Sequence, residues 1–288
     1  MMQEQAAEQR LQERELSFLQ DLTHKLATRE IDLPPFPDIY ARIIKTIHDP
    51  DVSLQDVSRI VVAAPDLCVR ILLLANSALL NRSGMKITDL NVAVARLGLS
   101  AVNSATVTLA TKDVFQAPKG SSLEYLLNKT RTESVKVAAY SYLLAIRAGL
   151  LSEKHNAMLA GLLHNIGTYY ILSKAVDFPD MVSKEVLNQW GPGISQVLVE
   201  NWGFPENISS AIEKQQDIES AGEEEASVLH DILICAILLA RESNNEADDD
   251  IDYDQIPACQ ALQINTENVL QIIEDCREEV SSFVSALK

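Results

Sequence analysis

The chain has 288 residues, of which 47% are hydrophobic and 23% are charged, a balance typical of a globular protein rather than a disordered one. Its 41 acidic and 24 basic residues leave a net charge of −17, which repels the phosphate backbone of nucleic acids. No run of about 18 apolar residues occurs, and the first thirty residues are charged throughout, so we expect neither a membrane span nor a secretory signal. These features predict a cytoplasmic protein that binds neither nucleic acid nor membranes.

Two further features of the composition limit the kinds of site that the chain can hold. Its four cysteines are scattered without any paired spacing, which predicts a reducing compartment and no cysteine-based metal site. Most of the acidity lies between Asp217 and Asp254, where thirteen acidic residues accompany a single basic one, Arg241. We interpret this stretch as a solvated surface and loop.

The leading segment, residues 1–30, is rich in Gln, Glu and Arg and carries one short apolar stripe. We expect an N-terminal helical extension that docks back on the body of the protein. A short dimerising coil is the alternative, although the stripe is briefer than the three or four heptads that a coiled coil needs. The stripe consists of Leu11, Phe18, Leu22 and Leu26.

From residue 36 onward the apolar residues recur at helical spacing, and strict alternation typical of strands is absent. Residues 36–47 and 269–287 each carry a single apolar stripe, and 226–240 is apolar nearly all round, which predicts a buried helix. We therefore predict an all-α protein with about a dozen helices. Breaks are expected near 78–88, 117–122, 149–153, 191–193, 217–225 and 244–256.

Several short motifs follow one another in a characteristic order. Residues 33–37 read LPPFP, residues 67–77 end in Asn76-Ser77, residues 87–98 end in Leu97-Gly98, residues 159–167 read LAGLLHNIG, and a WGFP segment lies at 202–205. Taken together, these segments resemble the HDOD domain, the HD-related output domain of bacterial signal transduction, over about residues 30–217. We expect the motif residues to be structural; they are Pro34, Pro35, Pro37, Asn76, Ser77, Leu97, Gly98, Gly167, Trp202 and Pro205.

The resemblance implies a multi-helix, HD-related bundle with two lobes. We expect the HDOD domain at 31–217, with a first helical lobe at about 31–117 and an HD-like lobe at about 118–217. The remaining residues, 218–288, are expected to form C-terminal helices packed on the HD-like lobe, with an acidic loop between them. We expect the last helix to cover the buried helix at 226–240.

In catalytic HD proteins, imidazoles and carboxylates bind one or two divalent ions that activate water against a phosphate ester. An amide or a glycine is a poor substitute, because a dication prefers charged or strongly donating ligands. The resemblance therefore implies a degenerate site without metal, cofactor or catalytic residue, in which one imidazole survives. The corresponding positions are Glu133, His164, Asn165, Gly191, Gln215 and Gln216.

Three smaller interpretations concern the same half of the chain. We expect His155 to be a surface residue at a helix start. Trp190 and Trp202 are expected to be packing anchors rather than a stacking platform. The Gly191–Gly193 cluster, with a proline at its centre, is expected to form a tight bend between them.

Three functions remain in competition. The first is a non-catalytic regulatory module that acts through protein–protein interaction in a signalling pathway, with a homodimer as an additional form. The second is a divergent metal-dependent phosphohydrolase that recruits Glu133, His164 and nearby acids in a new arrangement. The third is a module that binds a nucleotide messenger in a retained pocket without hydrolysing it.

Overall fold

The computed structural model describes residues 37–81, 83–175, 182–218, 228–246 and 251–287, together with positions 17, 20, 24 and 28 of the leading segment. Within these ranges the chain forms α-helices and one short 3-10 helix but no strand, which confirms the all-α class. Pro34, Pro35, most of the segment 1–30 and much of the acidic loop lie outside the described residues.

Twelve α-helices are present in the described ranges, and the 3-10 helix at Tyr253–Gln255 lies between the tenth and the eleventh. The predicted breaks at 78–88 and 149–153 are non-helical at every described residue, and the break at 117–122 is non-helical up to Ser121, since the next helix begins at Ser122. The helices are α1 (Asp38–Ile47), α2 (Leu54–Val61), α3 (Pro65–Ala75), α4 (Leu90–Val114), α5 (Ser122–Arg147), α6 (Lys154–Leu163), α7 (Ile166–Lys174), α8 (Lys184–Asn201), α9 (Glu206–Glu213), α10 (Val228–Glu242), α11 (Pro257–Ala261) and α12 (Val269–Leu287).

Helix α4 is the centre of the first half of the fold, and α1, α2 and α3 all pack against it. On α1 the apolar stripe buries Tyr40, Ile43 and Ile47. Helix α4 is long and apolar enough to cross a membrane by length and composition, but 61% of its most apolar window is buried. Gly98 interrupts it with φ 74° and ψ 169°, a backbone conformation that residues other than glycine rarely adopt. These properties are those of a core helix in a globular fold.

Helix α5 organises the second half, where α6, α10 and α12 pack along it and α8 packs on α7 and α9. Helix α10 corresponds to the apolar segment at 226–240 and is buried on almost every side. The expectation that the last helix covers α10 is wrong, because α12 packs mainly on α5 and α3. Arg70 Nη1 donates to the Ala286 carbonyl (3.2 Å), and the Ala78 amide donates to Ser282 Oγ (2.8 Å). The C-terminal helix therefore ties the two halves together.

The expected bend at 191–193 is also wrong, because α8 continues through Pro192 without a break. A proline inside a helix leaves the carbonyl four residues earlier without its N–H partner. Here that carbonyl belongs to Asn188, and it accepts a hydrogen bond from Gln216 Nε2 at 2.8 Å. A side chain from the segment after α9 thus replaces the missing backbone donor.

His155 is half-buried rather than a surface residue. Its ring lies against Tyr142, with 5.7 Å between the ring centroids. Burial lowers the pKa of His155 below its ordinary value, and the neighbouring Lys154 charge acts in the same direction. The residue is therefore part of the packing at the start of α6.

Candidate functional site

A groove of about 800 Å³ lies among α5, α7, α8 and the C-terminal end of α10. Residues that are distant in the sequence meet there, because the turn between α6 and α7 faces the segment that follows α9. Three cationic side chains from other helices, Lys129, Lys184 and Arg241, also line it. The groove brings together all six positions that the resemblance assigns to the HD pattern, Glu133, His164, Asn165, Gly191, Gln215 and Gln216.

His164 directly follows the last residue of α6, and its ring is buried. Its Nδ1 lies 2.7 Å from the Gly161 carbonyl, and because a carbonyl only accepts, Nδ1 carries the proton. Burial lowers the pKa of His164 to about 4, and the Arg241 guanidinium also opposes protonation of the ring. The remaining nitrogen, Nε2, is therefore an unprotonated acceptor at neutral pH.

The backbone of the turn between α6 and α7 is held by two side chains. The His164 carbonyl accepts hydrogen bonds from Ser195 Oγ (2.9 Å) and from Gln215 Nε2 (3.0 Å). Ser195 Oγ in turn accepts from the Gly167 amide at 2.8 Å. Gln215 thus binds protein backbone at a position where the HD pattern expects a metal ligand.

Asn165 has a different environment from the two glutamines. It precedes the first residue of α7, yet its side chain caps no backbone amide there. The side chain is half-buried, lines the groove and makes no hydrogen bond within the described part of the chain. It therefore presents a neutral carboxamide to the groove, where a catalytic HD protein has an aspartate.

Glu133 lies at the other end of the groove, on α5. Burial raises its pKa above the ordinary value, and the nearby Glu246 carboxylate acts in the same direction. Lys129 Nζ lies 3.8 Å from a Glu133 carboxylate oxygen and 2.9 Å from one of Glu246. The carboxylates here are therefore already paired with a protein cation.

The donors in this groove do not fit a divalent metal. Across the described ranges, no group of three or more His, Cys, Asp or Glu side chains is placed to hold a common ion. Asn165, Gln215 and Gln216 offer neutral oxygens, and the latter two already have their amide nitrogens engaged with backbone carbonyls. The two carboxylates of the groove, Glu133 and Glu246, share Lys129 and are not grouped with His164 around a common ion.

The motif residues of the first half lie away from the groove. Asn76 Nδ2 donates to the Leu72 and Ile87 carbonyls, each at 2.7 Å, and its Oδ1 accepts from the Ile87 amide at 2.8 Å. The carboxamide thus closes α3 and joins it to the following loop. Ser77 Oγ donates to the Leu74 carbonyl at 2.7 Å.

The other motif residues lie at helix ends and in packing contacts. Leu97 is buried just before the kink at Gly98. Pro37 and Pro205 directly precede the first residues of α1 and α9. Trp202 packs on Phe115, with 6.2 Å between ring centroids, and Trp190 is half-buried against the core.

Comparison with known proteins identifies the family of this chain. The sequence model of the HDOD domain matches residues 33–218. The chain belongs to the HDOD family. This HDOD protein is 25% identical over 255 residues to an uncharacterised protein of Treponema pallidum, a match that covers 82% of the chain. The chain spans 47% of that relative's length.

Solved structures share the fold of the HDOD protein. A protein from Shewanella amazonensis, provisionally named a metal-dependent phosphohydrolase, superposes with a TM-score of 0.76 at 22% identity over 95% of this chain and 99% of its own. An HDOD domain protein from Geobacter sulfurreducens superposes with a TM-score of 0.68 at 22% identity, over 93% of this chain and 97% of its own. A protein from Marinobacter aquaeolei, provisionally named a signal transduction protein, superposes with a TM-score of 0.63 at 20% identity, over 93% of this chain and 65% of its own. Identities this low establish the fold alone.

Sequence reasoning missed three of the side chains that shape the groove. Lys184 begins α8, Arg241 lies in the last turn of α10, and Ser195 is a buried residue within α8. Arg241 was visible in the sequence as the one basic residue of the acidic stretch, but its spacing gives no indication of a site. Its role depends on how α10 packs along α5.

Proposed function

We propose that this protein is a non-catalytic signal-transduction module that works through contacts with other proteins in the cytoplasm. The observation that carries the proposal is the chemistry of the groove. The HD-like architecture is intact, but four of the six positions of the HD pattern carry amides or a glycine, namely Asn165, Gly191, Gln215 and Gln216. Two of those amides, Gln215 and Gln216, bind backbone carbonyls instead.

Exposed apolar side chains on the first lobe support the proposal that the partner is a protein. Val69 and Leu73 lie one turn apart on α3 and are 56% and 46% exposed, and Val62 at the end of α2 is 61% exposed. Exposed apolar side chains that lie next to one another, as Val69 and Leu73 do, are typical of protein-interaction surfaces. The net charge of −17 disfavours nucleic acid as the partner. A second copy of the chain is one candidate for the protein that binds there.

Cross-linking in cells, followed by reconstitution with the purified partner, tests this proposal. We expect Val69→Asp to weaken the reconstituted complex at least tenfold, because it buries a charge in the interface. The matched control is Leu270→Asp, at a 65% exposed position at the start of α12, which we expect to bind normally. Equal binding by both variants, or no partner that survives purification, would contradict the proposal.

Catalysis is tested by metal analysis and turnover on protein purified without chelator. We expect Mn, Fe and Zn far below one ion per chain, and no hydrolysis of phosphomonoesters or cyclic dinucleotides. The alternative, a divergent metal-dependent phosphohydrolase, is favoured by one observation. His164 Nδ1 donates a hydrogen bond to a backbone carbonyl, as one ring nitrogen of a metal-binding histidine commonly does. This leaves the lone pair of Nε2 available to bind a metal ion. Stoichiometric metal that is lost in His164→Gln, together with turnover, would establish the alternative.

A further inference from the structure

The charge inside the groove is opposite in sign to that of the chain. Lys129, Lys184 and Arg241 line it together with two carboxylates, Glu133 and Glu246, and the His164 ring is neutral. Among the described lining residues, three cations against two anions leave a small excess of positive charge in a protein whose net charge is −17. Lys129 lies within ion-pair distance of both carboxylates but offsets only one of their two charges, so Lys184 and Arg241 together supply the excess positive charge of the described lining.

Arg241 is the cation best placed to act in the groove. It lies close enough to His164 and Glu133 to influence the pKa of each. Within the described ranges its guanidinium makes no hydrogen bond or ion pair, and the same holds for the Lys184 ammonium. A guanidinium offers a planar set of N–H donors that matches the oxygens of a phosphate.

Asn165 contributes a neutral donor to the same groove. Its half-buried carboxamide lines the groove and has no hydrogen-bond partner in the described part of the chain. The amide nitrogen can donate to a phosphate oxygen, whereas an aspartate at this position would repel it. The groove thus holds a charged donor and a neutral donor, both unsatisfied.

We propose that this groove binds the phosphate group of a small phosphorylated molecule directly, without metal, through the Arg241 guanidinium and the Asn165 carboxamide, with Lys184 at its edge. The volume of about 800 Å³ falls within the range of small-molecule sites and is far larger than one phosphate. A ligand of nucleotide size therefore fits. This inference does not depend on the identity of a protein partner.

Calorimetric titration of the full chain with pyrophosphate and with ADP, both in EDTA at low salt, tests the proposal. We expect both probes to bind wild type and to bind Arg241→Gln about 10- to 100-fold more weakly, the range for the loss of a charged hydrogen bond. The matched control is Arg277→Gln, which removes an equal charge from an exposed residue of α12 that pairs with Glu274. We expect the control to bind like wild type.

A second variant tests the neutral donor. Asn165→Asp introduces a carboxylate into the groove that Arg241 lines. We expect it to weaken binding of both probes at least tenfold, while thermal unfolding shows that the fold is kept. Tighter binding of ADP than of pyrophosphate would show that the groove also contacts the nucleoside, and equal binding would show that it reads phosphate alone; both support the site. Absence of binding by wild type, equal affinity in Arg241→Gln, or binding that appears only when a divalent metal replaces EDTA would overturn it.

Discussion

Replacement of Gly167 by alanine should be among the most damaging small substitutions in this protein. Gly167 lies in the first turn of α7, where the helix crosses α8 at backbone distance. A Cβ atom added there would lie 2.1 Å from the Gly191 carbonyl oxygen and 2.7 Å from the Ser195 amide nitrogen. Both are backbone atoms, so neither can move aside as a flexible side chain could. The two helices would have to separate.

The expected cost follows from three contributions. Overpacking of a close contact costs about 1–3 kcal/mol. Separation of the helices also breaks the hydrogen bond from the Gly167 amide to Ser195 Oγ, at about 1 kcal/mol. Alanine recovers up to about 1 kcal/mol through its higher helix propensity. We expect Gly167→Ala to lower the free energy of unfolding by about 1–4 kcal/mol.

Urea denaturation followed by far-UV circular dichroism measures this change. Gly193→Ala is the matched control, because a Cβ there meets no heavy atom within 4 Å and the residue lies inside α8. We expect this control to be as stable as wild type or up to about 1 kcal/mol more stable. If Gly167→Ala unfolds at the same urea concentration as wild type, the backbones of α7 and α8 do not approach closely enough to exclude a Cβ atom at position 167, and the reasoning is refuted.

Three further predictions concern individual contacts. Asn76→Ala removes three hydrogen bonds to neighbouring backbone and should lower the free energy of unfolding by about 2–4 kcal/mol, whereas Asn76→Asp should keep part of the stability through its acceptor oxygen. Pro192→Ala restores an N–H partner for the Asn188 carbonyl, so Gln216→Ala should cost about 1 kcal/mol less in that background than in wild type; purely additive effects in the double-mutant cycle would refute the compensation. The pKa of His164 is about 4 in the fold and about 6.5 in the unfolded chain, so the unfolded chain takes up a proton at a higher pH than the fold does. The free energy of unfolding should therefore be constant above pH 6.5 and fall by about 3 kcal/mol at most as the pH is lowered toward 4. His164→Gln should remove that part of the pH dependence in urea titrations, and an unchanged slope would count against the buried neutral ring.

Much of the fold can be read from local sequence patterns. The apolar stripe of α1 and the all-round apolar character of α10 predict helices and indicate how far each is buried, because a helix repeats its faces every 3.6 residues. The family motifs, with LAGLLHNIG as the most informative, identify the HD-related architecture. The replacement of an aspartate by Asn165 is likewise visible in the sequence alone, since it depends only on residue type.

What covers each helix, and which side chains meet, was decided by the tertiary structure. A stripe shows that a face is apolar but not what lies on it. The sequence therefore predicts α12 on α10, whereas α12 packs on α5 and α3. Pro192 predicts a break, yet α8 continues because Gln216, from a different part of the chain, supplies the missing hydrogen bond. Arg241 enters the groove only because α10 packs along α5, a contact between residues about a hundred positions apart that no local pattern records.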